Sequence, residues 1–552
     1  MAAPILAQQA SPVDDVLAAL QSPRTAVKIW ALIKIAQFGA ARAAQFQLDL
    51  QVVPLLDDAS MEVQEQVLRT LSHQGDRGAR HCYSMAKKIR SPVKSVKLAA
   101  VRALGNLRTL ASEFSSDILA CLDQKDPDLE AEACLALGKM KATTSGNRVA
   151  AKLSSPDAEV VAAACGGLAE MDREAGAVAE LLGHKDGRVK AAAAEALKDM
   201  TGAEDFAPGL VKLVGDSEGA VRRAAAVTLR KHGEAVSSRS GDLAALLKGA
   251  PGVAACAAHA LAGLGAPAKG HAAALEALLK SDAEDASAVC LCASGAGAEV
   301  PASLRKPAVA AAEALGACGD KAAAPQLAER LGAADVEIRV ASAEALGRLG
   351  ALEAAPALRK GLEDPSPLMV AACALALSFA SPGSASAAAV APLLKDPRHT
   401  VRSAATASLG QMGELAQEFA APVSQLLDDK MLPVQVAALE ALPRFGAAGH
   451  RFAAEVCRLT AGGEDKLRLA AMEALTQMGQ RGAAFAEELE AVLDDPIPEL
   501  RNAAHRALQR LSGAEALPSL PDLPKATEVA VEAVETPAPA LPVAGRRGWG
   551  WS

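Results

Sequence analysis

The sequence predicts an all-α protein of the α-solenoid class, a right-handed superhelix of stacked helix pairs. A helix-length motif recurs with a period near 33 residues, which is typical of repeat architectures. Its large apolar residues return at helical spacing, and short turn signals precede most copies. The period is clearest at Val401, Val434, Leu467 and Leu500, which each begin a copy 33 residues after the previous one. The repeats therefore favour one continuous array over several unrelated domains.

The motif itself predicts the second helix of each pair. In the copy that runs from Ile338 to Gly350, Leu346 follows the first apolar residue by eight positions and Leu349 follows it by eleven. Offsets of 0, +4, +8 and +11 lie on one face of an α-helix, so we expect this face to be buried. Small residues at offsets +3 and +4, such as Ala404 and Ala405, should let neighbouring helices approach closely.

Two kinds of sequence signal are expected to mark the ends of these helices. A Ser-Pro or Asp-Pro dipeptide should supply the cap and the first helical residue. These dipeptides begin at Ser22, Ser91, Asp126, Ser155, Asp364, Asp396 and Asp495. Glycines that follow an Ala-Leu pair, or a Ser-Leu pair in one copy, should close the helices. They are Gly105, Gly138, Gly316, Gly347 and Gly410. An apolar stretch before each dipeptide predicts the first helix, so the unit is helix, turn, helix.

These residues resemble the HEAT-repeat family, with the related armadillo-like helical arrays as the wider class. The short period and the spelling of the motif are most similar to the short HEAT-like repeats of phycobilisome lyases. The resemblance covers roughly residues 11–513. It implies stacked helix pairs and leaves function open, because the family includes scaffolds, adaptors, pigment-attachment proteins and a few enzymes.

The organisation along the chain follows from where the repeats begin, break and stop. We predict a disordered segment at 1–10, a first half-array at 11–282, and an irregular repeat or hinge at 283–306. The next first helix should be shortened there to about Val300 to Arg305. A second half-array at 307–513 and a disordered tail rich in Pro and Ala at 514–552 complete the chain.

Most enzyme classes find no support in the sequence. There is no phosphate-binding loop, no nucleophile elbow, no HExxH and no His-Glu dipeptide of the kind that HEAT-like di-iron hydroxylases carry. We therefore expect no catalytic, cofactor-binding or metal-binding residue. The ten cysteines lack a CxxC pattern and should be small buried fillers, which favours a reducing, cytoplasmic setting. No stretch is long and apolar enough to predict a membrane span.

A basic residue recurs directly after the first apolar residue of many copies. It is Lys28, Lys97, Lys190, Arg222, Arg339, Arg402, Arg468 or Arg501. These side chains could form a ladder that binds turn aspartates within or between repeats. The candidate aspartates are Asp186, Asp335, Asp396 and Asp428. They could instead form a row of free bases along the concave face of the solenoid, where a ligand would bind.

Two segments are candidate partner-binding sites. Residues 77–108 contain nine basic residues and no acidic one, in a chain of net charge −8. They are Arg77, Arg80, Lys87, Lys88, Arg90, Lys94, Lys97, Arg102 and Arg108. Such a patch could dock an acidic protein partner; nucleic acid is the weaker candidate because Tyr83 is the only aromatic residue there. The tail adds Trp549 and Trp551 beside two arginines.

Two functions from different classes remain open. The first is a non-catalytic scaffold or adaptor that binds a protein partner through its concave face and the basic patch. The second is a lyase-like or chaperone subunit that acts on a cofactor-bearing, pigment-type protein. Only the resemblance to the lyase repeats supports the second function.

Overall fold

The structure, a computed structural model, describes residues 12–38, 46–284, 300–495 and 497–512. These residues form α-helices, 3-10 turns and connections, and no strand occurs among them. The chain is an all-α solenoid, as the sequence predicts; the handedness of its superhelix stays a prediction. It divides into two compact units, one that ends at Thr228 and one that begins at Leu229. The boundary falls inside a helix.

Odd numbers denote the first helix of each pair, and even numbers the second. The first helices are Pro12–Leu20 (α1), Leu48–Val52 (α3), Cys82–Lys87 (α5), Ser115–Leu119 (α7), Gly146–Ala150 (α9), Ala175–Glu180 (α11), Ala207–Val214 (α13), Ser240–Leu246 (α15), Ala272–Leu279 (α17), Ala324–Arg330 (α19), Ala355–Lys360 (α21), Ser384–Val390 (α23), Ala420–Ser424 (α25), Ala453–Arg458 (α27) and Ala486–Glu490 (α29). Many of them end in a 3-10 turn, such as Lys88–Arg90 after α5.

The second helices are longer and carry the repeated motif. They are Thr25–Gln37 (α2), Met61–Ser72 (α4), Lys94–Asn106 (α6), Pro127–Lys139 (α8), Ala158–Met171 (α10), Gly187–Leu197 (α12), Gly219–His232 (α14), Pro251–Leu264 (α16), Pro307–Cys318 (α18), Val336–Leu349 (α20), Pro367–Ala380 (α22), His399–Met412 (α24), Leu432–Ala441 (α26), Asp465–Gln477 (α28) and Pro498–Leu511 (α30). Within each unit they pack side by side in chain order.

The predicted apolar face is the buried face. Ile338, Leu346 and Leu349 of α20 are buried, and Leu197 and Leu475 occupy the same slot in α12 and α28. Burial of one such side chain contributes about 1.5–3 kcal/mol, which explains why this slot is apolar in every copy. Since each helix pair has one apolar face, stacking against the next pair supplies the missing cover.

The Ser-Pro and Asp-Pro dipeptides act differently from the prediction. Only Asp126-Pro127 forms a cap and a first helical residue, where the Asp126 carboxylate accepts hydrogen bonds from the backbone N–H groups of Asp128 and Leu129. Each of the other Ser or Asp residues lies in the turn before the helix. There the Ser or Asp oxygen accepts from the N–H two residues on, as Asp396 does from Arg398. Short oxygen side chains favour this local turn, so the helix begins later.

The glycines after Ala-Leu pairs are packing residues, and the expectation that they close helices is wrong. A Cβ on Gly347 would lie 2.9 Å from Ala376 Cα of the next second helix, and one on Gly138 would lie 2.6 Å from Gly167 Cα. Their lack of a side chain therefore sets the helix spacing. The α20 helix closes at Gly350, whose φ of +59° is the left-handed conformation that glycine adopts readily.

The irregular segment is an insertion within one helix pair. Second helices α16 and α18 pack directly against each other, and α17 packs against α18 as its first helix. The predicted short first helix near Val300 to Arg305 is only a 3-10 turn at Ala302–Leu304. Residues 280–306 thus connect the two helices of one pair. Because 285–299 lie outside the described residues, the hinge stays a prediction, as do the disordered segments at 1–10 and 514–552.

The cysteines of the described residues are buried free thiols. Burial raises the pKa of the Cys134, Cys165 and Cys373 thiols to about 12. All three stand where other copies have alanine, which agrees with their predicted role as small fillers. Cys290 and Cys292 lie outside the described residues.

Candidate interaction surfaces

The recurrent basic residues form a ladder between successive helix pairs. Arg402 of α24 donates from Nε to Asp429 Oδ2 (2.7 Å) and from Nη2 to Asp429 Oδ1 (2.8 Å) in the turn of the next pair. This bidentate bond lowers the pKa of the Asp429 carboxyl. The same contact joins Lys28 to Asp58, Lys190 to Asp216, Arg339 to Asp364 and Arg468 to Asp495.

The ladder leaves these bases unavailable to a ligand. The side chains of Arg402 and Asp429 are largely buried against each other. Arg222 and Arg501 instead donate to backbone carbonyls of the preceding turn, and Lys97 donates to Gln124. Of the predicted aspartates, Asp335 pairs with Lys306, Asp428 with Arg458, and Asp186 and Asp396 with arginines two residues on. The row is therefore structural.

Four of the nine basic residues of segment 77–108 form close ion pairs with acidic residues from elsewhere in the array. Lys88 Nζ lies 2.8 Å from Asp57 Oδ1, and Arg102 Nη2 lies 2.5 Å from Glu132 Oε2. Lys94 binds both Asp126 and Asp128. Stacking therefore compensates part of the basic patch, because it brings in carboxylates that lie about thirty residues away in the chain; the patch as a binding site stays a prediction.

Arg77 has a structural role inside this segment. It donates to Asp49 Oδ1 (3.1 Å), while His81 Nε2 lies 3.1 Å from Asp49 Oδ2. Burial of Asp49 would raise the pKa of its carboxyl, but the hydrogen bonds from His81 and Arg77 outweigh burial and lower it. Arg77 therefore binds a buried carboxylate of its own chain and is not available to an external partner.

Four basic residues of the segment are exposed and lack a close ion pair among the described residues. Arg80 and Arg108 have no ion pair among the described residues, and Lys87 packs its Nζ 4.7 Å from the centre of the Tyr83 ring. Arg90 makes one long contact with Asp117, at 3.6 Å, and its side chain is 85% exposed. Trp549 and Trp551, the other predicted binding residues, lie outside the described residues.

A groove of about 400 Å³ crosses the second helices α2, α4 and α6. Its lining includes Ile29, Glu65, Arg69 and Arg102. Arg69 is exposed, and neither it nor Glu65 has a side-chain partner among the described residues. Next to Ile29, Trp30 and Ile33 of α2 are 47% and 42% exposed. The groove thus combines an apolar edge with unpaired charges of both signs, on the predicted second-helix face.

The same face is closed by a polar network in the other unit, which sequence reasoning missed. Arg230 Nη1 donates to His259 Nδ1 (2.9 Å) and to Glu313 Oε2 (2.5 Å), and Ser303 Oγ lies 3.1 Å from His259 Nδ1. His259 is buried, and desolvation, followed by the charge of Arg230, lowers its pKa well below the usual value. The imidazole is therefore neutral at pH 7.

Glu344 and Arg348 of α20 extend this network. The Glu344 side chain lies 3.5 Å from Arg348 Nη2 and is almost completely buried. Burial raises the pKa of Glu344 to about 7; Arg348 opposes the shift and Glu313 adds to it. His259, Glu313 and Glu344 all stand six positions after the start of a copy. Arg69 and Arg102 share that position and are exposed, so the pattern alone gives no sign of burial.

A second cavity, of about 560 Å³, lies between first helices α11 and α13. Leu182, Phe206 and Leu213 form its apolar part, and His184 and Lys212 lie at its polar part. Lys190 and Asp216 close one wall through their ladder contact.

No group of three or more metal-ligating side chains occurs among the described residues. Within the same residues, no helix has the length and apolar character needed to cross a membrane.

Comparison with known proteins supports the repeat type. A family model for HEAT repeats matches residues 147–231 and 305–378. These two segments fall on opposite sides of the insertion and carry the repeated second helices. The finer similarity to phycobilisome lyases stays a prediction. No curated protein sequence gives a significant match.

Solved structures of karyopherins share the fold. Yeast importin-β (Kap95p) is 14% identical with a TM-score of 0.59, over 90% of this chain and 77% of that one. Kap95p in complex with Nup1 gives a TM-score of 0.54 at 14% identity, over 91% and 77%. Kap121p bound to the extreme C-terminus of the phosphatase Cdc14p gives 0.51 at 12% identity, over 91% and 66%. Identities this low show the fold alone.

Proposed function

We propose that this HEAT-repeat chain is a non-catalytic scaffold that holds a protein segment against the second helices α2, α4 and α6. The open groove there carries the proposal. Apolar side chains at its edge can anchor a partner, and unpaired charges beside them can fix its orientation. Karyopherins of similar fold bind protein segments, as with Kap121p and the C-terminus of Cdc14p, which supports a protein as the ligand.

We propose that the protein segment binds over α2, α4 and α6 and not over α16, α18 and α20, although both sets are second helices. There the residues at the same positions are buried or half-buried, and each is bound by a side chain of the polar network. A partner would first have to break those contacts. The groove over α2, α4 and α6 needs no such rearrangement, because Trp30, Ile33 and Arg69 are already accessible. Pre-formed, accessible side chains lower the cost of binding.

Two further expectations remain proposals. A cytoplasmic location agrees with the buried free thiols. A lyase-like or chaperone role rests only on the residue pattern of the repeats, and no contact among the described residues favours it. An absence of enzymatic activity likewise stays a prediction.

The test is a double variant of the groove edge, Trp30→Asp with Ile33→Asp, in the full-length chain. We expect it to lose the proteins that cross-link to a photoreactive residue placed at Gln66, because the apolar anchors are gone. Leu352→Asp with Leu415→Asp is the matched control, since both leucines are exposed and lie elsewhere. Equal cross-linking by the two variants would refute the groove as the binding surface.

A further inference from the structure

We propose that Arg80, Tyr83, Lys87 and Arg90 form a second docking site, for a short acidic segment of a protein partner. These residues, here called the basic stripe, lie on first helix α5 and its adjoining turns. The inference rests on the proposed scaffold function and adds a partner class to it. The stripe belongs to the first-helix side of the pair, so it is separate from the groove on the second helices.

The geometry of the stripe presents its charges to solvent together. Tyr83, Lys87 and Arg90 are spaced by four and three residues, which places them on one side of a helical run. Tyr83 is 66% exposed, and its ring holds the Lys87 ammonium at 4.7 Å. A cation packed on an aromatic ring keeps its charge and loses less freedom when a ligand binds.

The stripe gathers three of the four basic residues of the segment that are exposed and lack a close ion pair among the described residues; Arg108 is the fourth and lies outside α5 and its adjoining turns. Lys88 and Lys94 on either side of Arg90 are bound to aspartates of neighbouring pairs. Arg80 and Lys87 have no acidic partner among the described residues, and Arg90 has only the long contact with Asp117. An acidic ligand can therefore bind here without displacing an existing close ion pair.

Charge complementarity selects an acidic ligand for this place. The whole chain has a net charge of −8, so an acidic ligand is repelled by most of the surface. Many other first helices carry an acidic residue within their bounds, among them Asp117, Glu180, Asp242, Glu276, Glu329, Glu455 and Glu488. The basic stripe differs from these helices, because α5 carries Lys87 and no acidic residue, and the adjoining turns add Arg80 and Arg90.

The size of the stripe favours a peptide. Tyr83 to Arg90 spans about 10 Å of helix, which matches carboxylates one or two helical turns apart in a partner. Nucleic acid is held mainly through phosphate contacts, of which DNA-binding proteins often make about 6–10, and the stripe offers three bases. Attachment to an anionic membrane needs clusters of about four to eight basic residues. A short acidic segment uses all of the groups present.

The probe for the test is a fluorescein-labelled oligoglutamate peptide of about eight residues. Its affinity for the full-length protein is measured by anisotropy at about 50 mM and about 300 mM salt. We expect Lys87→Glu with Arg90→Glu to weaken binding about tenfold at the lower salt, and less at the higher salt. Tyr83→Ala should weaken it about threefold, whereas Tyr83→Phe keeps the ring and the affinity.

Lys248→Glu with Lys280→Glu is the matched control, because both lysines are exposed and the variant has the same net charge. Equal affinity of the stripe and control variants would overturn the proposal. So would tighter binding to phosphatidylserine vesicles or to a single-stranded oligonucleotide than to the peptide. Loss of peptide binding in Trp30→Asp with Ile33→Asp alone would move the acidic ligand into the groove. That result would refute the stripe as the site of the acidic ligand, and it would not contradict the scaffold function.

Discussion

The second-helix face differs between two parts of the chain that have the same repeat pattern. Over α2, α4 and α6, residues six positions into each copy are exposed, and Arg69 has no side-chain partner among the described residues. Over α16, α18 and α20, the residues at that position are His259, Glu313 and Glu344, and they belong to a buried network. One position in the repeat thus supplies accessible side chains in one place and internal contacts in the other.

The insertion accounts for part of this difference. Ser303, near its end, lies against His259, and Cys256 Sγ lies 3.9 Å from the Leu304 carbonyl oxygen. Ser303 and Leu304, at the end of the insertion, therefore contact α16 with a side chain and a backbone carbonyl. No such segment crosses α2, α4 and α6 among the described residues. Three predictions follow from the comparison, in order of expected size.

The largest effect should come from the ionisation of Glu344. Its pKa of about 7 in the folded state exceeds the usual 4.5, so the folded form binds the proton more tightly than the unfolded form does. Stability from this group is therefore complete below pH 4.5 and is lost as the pH rises through about 7. The loss amounts to about 3 kcal/mol.

Hydrogen exchange in α18 and α20, measured from pH 5 to pH 8, tests this effect. Glu344→Gln should remove it, because the amide cannot ionise. The lowered pKa of His259 makes stability rise with pH in the acid range, which is the opposite trend. Wild type and variant share this contribution, so it cancels when their profiles are subtracted. Glu195→Gln, at the same repeat position but exposed, is the control and should show no change. A pH profile shared by all three proteins would mean that Glu344 is solvated.

Arg230→Ala should have the next largest effect. It removes the donor to His259 and Glu313 and leaves a half-buried carboxylate with one partner fewer. We expect the local free energy of opening in α16 and α18 to fall by about 2 kcal/mol. Arg69→Ala in the open groove should leave exchange in α4 unchanged. Similar losses in both variants would contradict the contrast between the two faces.

Ser303→Ala should have the smallest effect. It removes one hydroxyl contact to a buried imidazole, which typically costs about 1 kcal/mol. The change should appear in the exchange of α16 and of residues 300–306, because this contact joins the insertion to the helix. Ser424→Ala is a suitable control, since its hydroxyl bonds only an exposed local carbonyl. An unaltered exchange rate near His259 would show that Leu304 alone holds this segment.

The fold could be predicted from sequence, and so could the ladder. Helix pairs depend on the spacing of apolar residues within one copy, such as Ile338 and Leu346, and that spacing is local in the chain. A bond between Arg402 and an aspartate of the next turn could be anticipated because both residue types recur with the period, but the aspartate predicted in that turn is Asp428 and the partner is Asp429. The turn role of Asp396 and the packing role of Gly347 could not, since they depend on where each helix begins and how near its neighbour lies.

The sequence by itself determined the class of the protein, its repeat units and its buried apolar face. Only the tertiary structure decided which charged residues are available. Lys88 is bound by Asp57 and Lys87 is not, although the two lysines are adjacent in an acid-free segment. Stacking brings together residues about one repeat apart, and the direction in which each side chain leaves its helix decides which of them meet. Apolar periodicity is a property of one helix, whereas charge compensation is a property of the contact between helices.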